Sequence, residues 1–188
     1  MSSVAENIED RYTYADILRW DEDERYELFE GEAFMMAPPT RVHQEVLGAL
    51  FNKLYSFLEG KPCKVYPAPF GVRLFPRADH SDSVYFEPDI VVVCDSSKLD
   101  ERGCNGAPDL VVEILSPSTV KRDLLYKLNK YLEAGVREYW IVDPEEKTVA
   151  VNILERNHYT LFHYEANAAI QAAVLPGFTL EVKTLFPE

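Results

Sequence analysis

The chain is predicted to be a mixed α/β (α+β) protein, with a mixed central sheet flanked by helices, and three observations lead there. Two short runs of largely β-branched residues, 90–94 and 110–115, are apolar at nearly every position, as strands covered on both faces are. A longer segment, 40–58, repeats apolar residues at intervals of three and four, the spacing of an amphipathic helix, and 118–134 reads as a second helix. Strand-like and helix-like segments also alternate along the chain instead of separating into blocks. With 188 residues, 47% hydrophobic and 12% aromatic content, the composition suits one domain with a substantial core. The expected division is a flexible polar N-terminus over 1–12 and a single domain over 13–188.

Taken in order, Thr13 and Asp16 form a capping-box pattern that opens a short helix through about residue 20. Residues 25–37 read as a hairpin turning near Gly31, with Tyr26, Leu28 and Phe29 before Glu30-Gly31-Glu32 and Phe34-Met35-Met36 after it. The long helix over 40–58 carries Val42, Val46, Leu47, Leu50, Phe51, Leu54, Tyr55 and Leu58, and Gly60 and Pro62 stop it. Strands are expected at 63–68 and 71–75, a polar loop at 77–83, a strand at 90–94, a charged loop at 95–105 and a strand at 110–115. The helix over 118–134 ends at Gly135. Strands at 138–142, 148–154, 158–164 and 170–174 complete the series, with a turn at 143–146.

No stretch approaches the roughly 18 consecutive apolar residues of a membrane span, and the first residues lack the pattern of a signal peptide. A cytoplasmic location without membrane contact is expected. Cys63, Cys94 and Cys104 are odd in number and show no C-x-x-C spacing, which predicts reduced thiols and no zinc site. The formal charge of −13 opposes binding to phosphate backbones unless positive charge is concentrated locally. Lys121, Arg122, Lys127 and Lys130 are close in sequence, and Arg73 and Arg77 lie on a segment that could fold beside them. A solvated helix face is the other reading of that cluster.

Glu113 is the most informative residue. It interrupts Leu110-Val111-Val112-Glu113-Ile114-Leu115, and an ionised carboxylate buried without a partner costs several kcal/mol or more. Such a residue is protonated, paired with a base or bound to a metal; a structural ion pair or a locally exposed sheet edge explains it equally well. Pro88-Asp89 and Pro108-Asp109 each place an acid at the mouth of a strand. Asp109 lies four residues from Glu113 on one strand, about 13 Å away, too far to share a cation. Asp89 belongs to another strand, and if the two are neighbours, a spacing near 4.8 Å brings its carboxylate within reach of the same ion. Simple turn chemistry is the alternative for either Pro-Asp pair.

On the following helix Asp123, Lys127 and Tyr131 recur at intervals of four and share a face. If that face looks back at the sheet, Lys127 sets an ammonium beside the carboxylates, near a phosphoryl oxygen or an attacking water. An Asp123–Lys127 surface pair is the plainer reading. Ser116 and Ser118 have no nearby His and read as turn and cap residues. His43 on the long helix reads either as a satisfied core or interface histidine or as an accessory to the site.

These segments jointly resemble a known family. Glu87-Pro88-Asp89, Ala107-Pro108-Asp109 through Glu113 to Ser116-Pro117-Ser118-Thr119, the helical Asp123, Lys127 and Tyr131, and Ala134-Gly135-Val136 through Glu138-Tyr139-Trp140 to Asp143-Pro144 are similar to the signature of the Uma-two family. That family belongs to the PD-(D/E)XK, restriction-endonuclease-like superfamily. The likeness includes Tyr26-Glu27-Leu28, Gly31-Glu32 and His43, and runs from about Tyr12 to Leu154. It implies a restriction-endonuclease-like core in which Asp89 and Glu113 bind Mg²⁺ or Mn²⁺, Glu32 adds an acidic group from the N-terminal region, and DNA is the substrate. In the superfamily pattern a Lys stands two residues after the acid, where this chain has Leu115; Lys127 matches the displaced Lys that the family is thought to use. His43, Asp123 and Tyr131 are accessory candidates, and a second copy of the chain is a candidate partner. Two other functions stay open: a non-catalytic interaction module that keeps the fold, and a phosphodiesterase acting on RNA or small molecules.

Overall fold

In the computed structural model, which describes residues 11–21, 24–116 and 121–187, the chain opens with α1 (Tyr14–Ile17) and a hairpin of β1 (Tyr26–Phe29) and β2 (Glu32–Met35). Helix α2 (Arg41–Leu58) leads into β3 (Lys64–Pro67), β4 (Val72–Arg73) and β5 (Ile90–Val93). Next come β6 (Leu99–Asp100), β7 (Gly103–Asn105), β8 (Leu110–Ile114) and helix α3 (Lys121–Ala134). The strands β9 (Glu138–Asp143), β10 (Thr148–Glu155), β11 (His158–Tyr164), β12 (Ala169–Gln171) and β13 (Thr179–Glu181) complete the order.

Local chemistry sets the helix starts. The Asp16 carboxylate accepts from both the N–H and the hydroxyl of Thr13 at 2.8 Å, and Thr40 Oγ1 accepts from the His43 N–H at 3.2 Å. The second cap fixes the first turn of α2, and with it the direction of the His43 side chain.

Six strands form the central sheet in the order β11-β10-β9-β8-β5-β3. β8 and β9 run parallel and the other neighbours antiparallel. A parallel pair needs a long crossover, and α3 lies within the connection from β8 to β9. Each face has its own core. Ile90, Val92, Leu110, Val112 and Ile114 meet Val46, Leu50, Leu54 and Leu58 of α2. Val91, Val93 and Val111 look the other way, into a cluster with Tyr131 of α3, Val136, Tyr139, Val72 and Phe86. This double covering explains why β5 and β8 lack polar alternation. By the alternation of the strand, Glu113 shares the face of Val111, the one α3 covers.

Several expectations change. The segment read as a loop over 95–105 contains β6 and β7, which join β4 in a small three-stranded sheet. Strands of two or three residues carry no readable alternation. The strand expected at 170–174 stops at Gln171 and pairs with β13, which the sequence reading did not include. Cys63 and Cys94 form a disulfide, against the expectation of reduced thiols. The antiparallel register pairs Lys64 with Val93, so these cysteines stand opposite each other just outside the ladder, a juxtaposition that their separation of 31 residues conceals. Cys104 is free and buried, and burial pushes its thiol up to about 11. Tyr12 donates its N–H to the Gly31 carbonyl at 2.8 Å; residues 1–10 lie outside the described residues. No described helix is long and apolar enough to cross a membrane.

Two glycines test the packing in opposite directions. Gly103 has φ +129°, and a Cβ there would lie 2.1 Å from the Gly71 carbonyl oxygen, whereas Gly48 sits exposed on α2 with nothing within 4 Å. Gly103→Ala is expected to destabilise the protein by about 3 kcal/mol or more. Gly48→Ala should stabilise it by roughly 0.5–1 kcal/mol. Urea unfolding of the two variants checks both signs.

Candidate active site

The register of β5 and β8 makes the site. Ile90 pairs with Val112, which places Asp89 opposite Glu113 one step beyond the ladder. Both acids line a cavity of about 300 Å³, together with His43 and Gln44 of α2, Lys127 of α3, and Arg25, Glu27 and Phe34 from the hairpin region. Asp109 stands apart. It accepts from the Cys94 N–H at 2.6 Å and pairs with Arg137 at 2.7 Å, so it fixes the entrance of β8.

Lys127 is the hub. Its Nζ donates to Glu113 Oε1 at 2.9 Å and to Glu27 Oε1 at 2.8 Å, and all three side chains are about nine-tenths buried. Burial alone would lower the Lys127 pKa, but the charges of Glu113 and Glu27 outweigh it and raise it, so the ammonium keeps its proton. Glu113 moves upward: burial raises it, Lys127 opposes the rise, and Glu27 and Asp89 add to it. Tyr131, one turn further along α3, donates its hydroxyl to the same Glu113 Oε1 at 2.9 Å, and burial raises its pKa well above the usual phenol range. Neither of these bonds uses Glu113 Oε2.

Asp89 is held from two sides. Its Oδ2 accepts from the Ile114 N–H at 2.7 Å, and His43 Nε2 lies 3.1 Å from its Oδ1. Burial works to lower the His43 pKa, yet the hydrogen bond and charge of Asp89, helped by Glu113, raise it overall. The cationic form of His43 is thereby favoured beside Asp89.

The structure thus brings Asp89, Glu113, Lys127, Tyr131 and His43 together. Glu32 is not among them. It opens β2 exposed, at the turn end of the hairpin, and does not line the cavity. The acid from the hairpin is Glu27, which stands opposite Phe34 and also accepts from the Glu87 N–H at 3.0 Å. Its signal was available in the sequence: Glu27 interrupts an apolar strand, Tyr26-Glu27-Leu28-Phe29, much as Glu113 does. Reciprocal bonds between Leu28 and Tyr85, at 2.8 and 3.1 Å, moor the hairpin so that Glu27 reaches Glu87. Arg25, also not anticipated, pairs through Nε with Glu87 Oε2 at 2.7 Å. The Asp123 side chain lies outside the described residues. Of the basic cluster, Lys127 is internal, Lys130 pairs with Glu30 and Glu133, and Arg73 is buried against Asp100, while the Lys121 and Arg122 side chains lie outside the described residues.

Removing one member of this buried triad leaves uncompensated charge. Lys127→Met should cost about 3–5 kcal/mol of stability near pH 8. A carboxyl whose folded pKa is raised binds its proton more readily in the folded state, so its contribution worsens as pH rises past the ordinary carboxylate range and recovers as pH falls. The deficit of Lys127→Met is therefore expected to be smaller at pH 5 than at pH 8. Paired urea melts of wild type and variant at both pH values read it directly.

The sequence and the fold have counterparts. The Uma2 family, described as "Putative restriction endonuclease", matches residues 14–183, further toward the C-terminus than the motifs alone reach. The uncharacterised protein slr1290 of Synechocystis sp. (strain ATCC 27184 / PCC 6803 / Kazusa) is 24% identical over 175 residues, covering 90% of this chain and 88% of that one. A crystal structure of a "putative nuclease belonging to DUF820" from Anabaena variabilis ATCC 29413 matches with a TM-score of 0.74 at 22% identity, over 93% of this chain and 97% of that one, and so shares its fold. With the family match spanning α1 through β13, the chain belongs to the Uma2 family.

Proposed function

We propose that this chain is a divalent-metal-dependent nuclease that hydrolyses DNA phosphodiester bonds in the cavity beside Glu113. The observation that carries the reading is the pairing of Asp89 and Glu113 across neighbouring strands, with a buried lysine bonded to one of them. Family membership supports nuclease chemistry, and the side chains support the finer assignment.

The donor set suits Mg²⁺ or Mn²⁺. Such ions take one or two carboxylates and keep several waters, and Asp89 and Glu113 offer two carboxylates facing an open cavity. Among the described residues no three or more His, Cys, Asp or Glu side chains are grouped to hold a metal ion, so the ion would rest on Asp89 and Glu113 with water completing its shell. Charge favours the same reading: Glu27, Glu87, Asp89 and Glu113 line the cavity against Arg25, Lys127 and His43, and a cation would offset the excess of carboxylates toward an incoming phosphodiester. When bound, the ion supplies an activated water and stabilises charge on the phosphate.

The protein groups divide the remaining work. Lys127 stays protonated, so it serves as a charged hydrogen-bond donor toward a phosphoryl oxygen and not as a general base, which needs a pKa near the working pH. Glu27 positions Lys127, Tyr131 orients Glu113, and His43 holds Asp89. Glu27 takes the role that the family resemblance suggested for Glu32.

A cleavage assay on labelled DNA and RNA with Mg²⁺ or Mn²⁺ tests this. Asp89→Asn and Glu113→Gln should each lower the DNA rate by about 100-fold or more, chelation should abolish it, and Glu32→Gln should stay within about twofold of wild type. Wild-type cleavage by Glu113→Gln would remove the proposed site, and preferential cleavage of RNA would reassign the polymer.

A further inference from the structure

The cavity has two unlike walls. Acids and cations contributed by the central sheet, β1, α2 and α3 line its interior, whereas Phe34, Met35, Met36, Pro38 and Pro39 form the wall leading from β2 toward α2. Met35 is 62% exposed, and Pro38 and Pro39 are exposed as well. Apolar surface is thus held in water at the rim of a charged cavity, continuous with the proposed reaction site.

Resting on the nuclease reading, we propose that this cavity takes one unpaired DNA nucleotide, its base against the Phe34–Met36 and Pro38–Pro39 wall, so that the substrate is a single strand or an unpaired end and not intact duplex. Three observations converge. A space of about 300 Å³ lies at the lower end of small-molecule pockets, a size for a single nucleotide, and the carboxylates inside it are recessed, with Asp89 and Glu113 side chains 16% and 12% exposed. A duplex keeps its base faces stacked and presents phosphate and sugar to such a wall, whereas an unpaired base offers an apolar face that fits it. Duplex binders draw affinity from many Lys and Arg contacts to phosphate, but here Lys127 is held by Glu27 and Glu113, Arg25 is braced by Glu87, and the chain carries a net −13. Contact with the base adds to the few cations that the described residues offer to phosphate.

The test uses one sequence in four forms: a single strand, a blunt duplex, a duplex with an unpaired flap, and a single strand with abasic sites around the cut. With Mn²⁺, the single strand and flap should be cut at least tenfold faster than the blunt duplex, and the abasic strand at least tenfold slower than the normal one. Met35→Ser should raise KM for the single strand about fivefold while leaving the abasic strand unchanged. Fluorescence anisotropy with the same DNAs in Ca²⁺ should give the same ranking of affinity without cleavage. Blunt duplex cut as fast as single strand, or abasic strand cut as fast as normal, overturns the inference and leaves the nuclease reading standing. If wild type cuts none of the DNAs, the nuclease reading fails, and the anisotropy ranking still decides for or against the unpaired nucleotide.

Discussion

A single buried ammonium ties three distant parts of the chain together. Lys127 on α3 bridges Glu113 on β8 and Glu27 on β1, residues 14 and 100 positions away. Each carboxylate would be costly where it sits without that charge, and the lysine would be costly without them. Helix α3 must therefore lie on the Glu113 face of the sheet, and the hairpin must close over the same place. The packing of Tyr131 against Tyr139 and Phe86 follows from that placement, as does the mooring of Leu28 to Tyr85. The interaction organises the site at the expense of desolvation, an arrangement more easily explained by chemistry than by stability.

The other polar contacts act through this hub. Tyr131 and Lys127 converge on one oxygen of Glu113, and the backbone N–H of Ile114 and the imidazole of His43 fix Asp89. Because Ile114 follows Glu113 directly, β8 contributes one carboxylate and orients the other through its own backbone. Short range along one strand thus does what would otherwise require two separate supports.

Much of this was legible in the sequence, for physical reasons that also mark its limits. Glu113 announced itself because an acid inside a β-branched run violates burial preferences, and Lys127 and Tyr131 followed from helical periodicity. Asp89 was found by its place before a strand, but its position opposite Glu113 depends on inter-strand register, which no local pattern encodes. The misplacement of Glu32 has a similar cause. Glu32 and Glu27 both lie in the hairpin near Gly31, and the family likeness covered both, yet Glu32 sits two positions from Phe34 toward the turn, about 7 Å farther along the strand. The small sheets around β4 and β12 and the Cys63–Cys94 bond were hidden for the same reason: short strands carry no period, and cross-strand partners are set by the tertiary fold.

The hairpin lies in a sheet of its own, outside the six strands that present Asp89 and Glu113, and is tied to the rest by the Leu28–Tyr85 bridge and by the side chains of Glu27 and Arg25. The paired acids of the central sheet and the apolar rim of the cavity therefore sit on different pieces of the molecule, with Glu27 of β1 as the link between them. Changes in the side chains from Met35 to Pro39 can alter the rim of the cavity while Asp89 and Glu113 stay in place on the central sheet. A scaffold divided in this way is evolvable: its rim can change while its fold is retained, as the fold is at 22% identity.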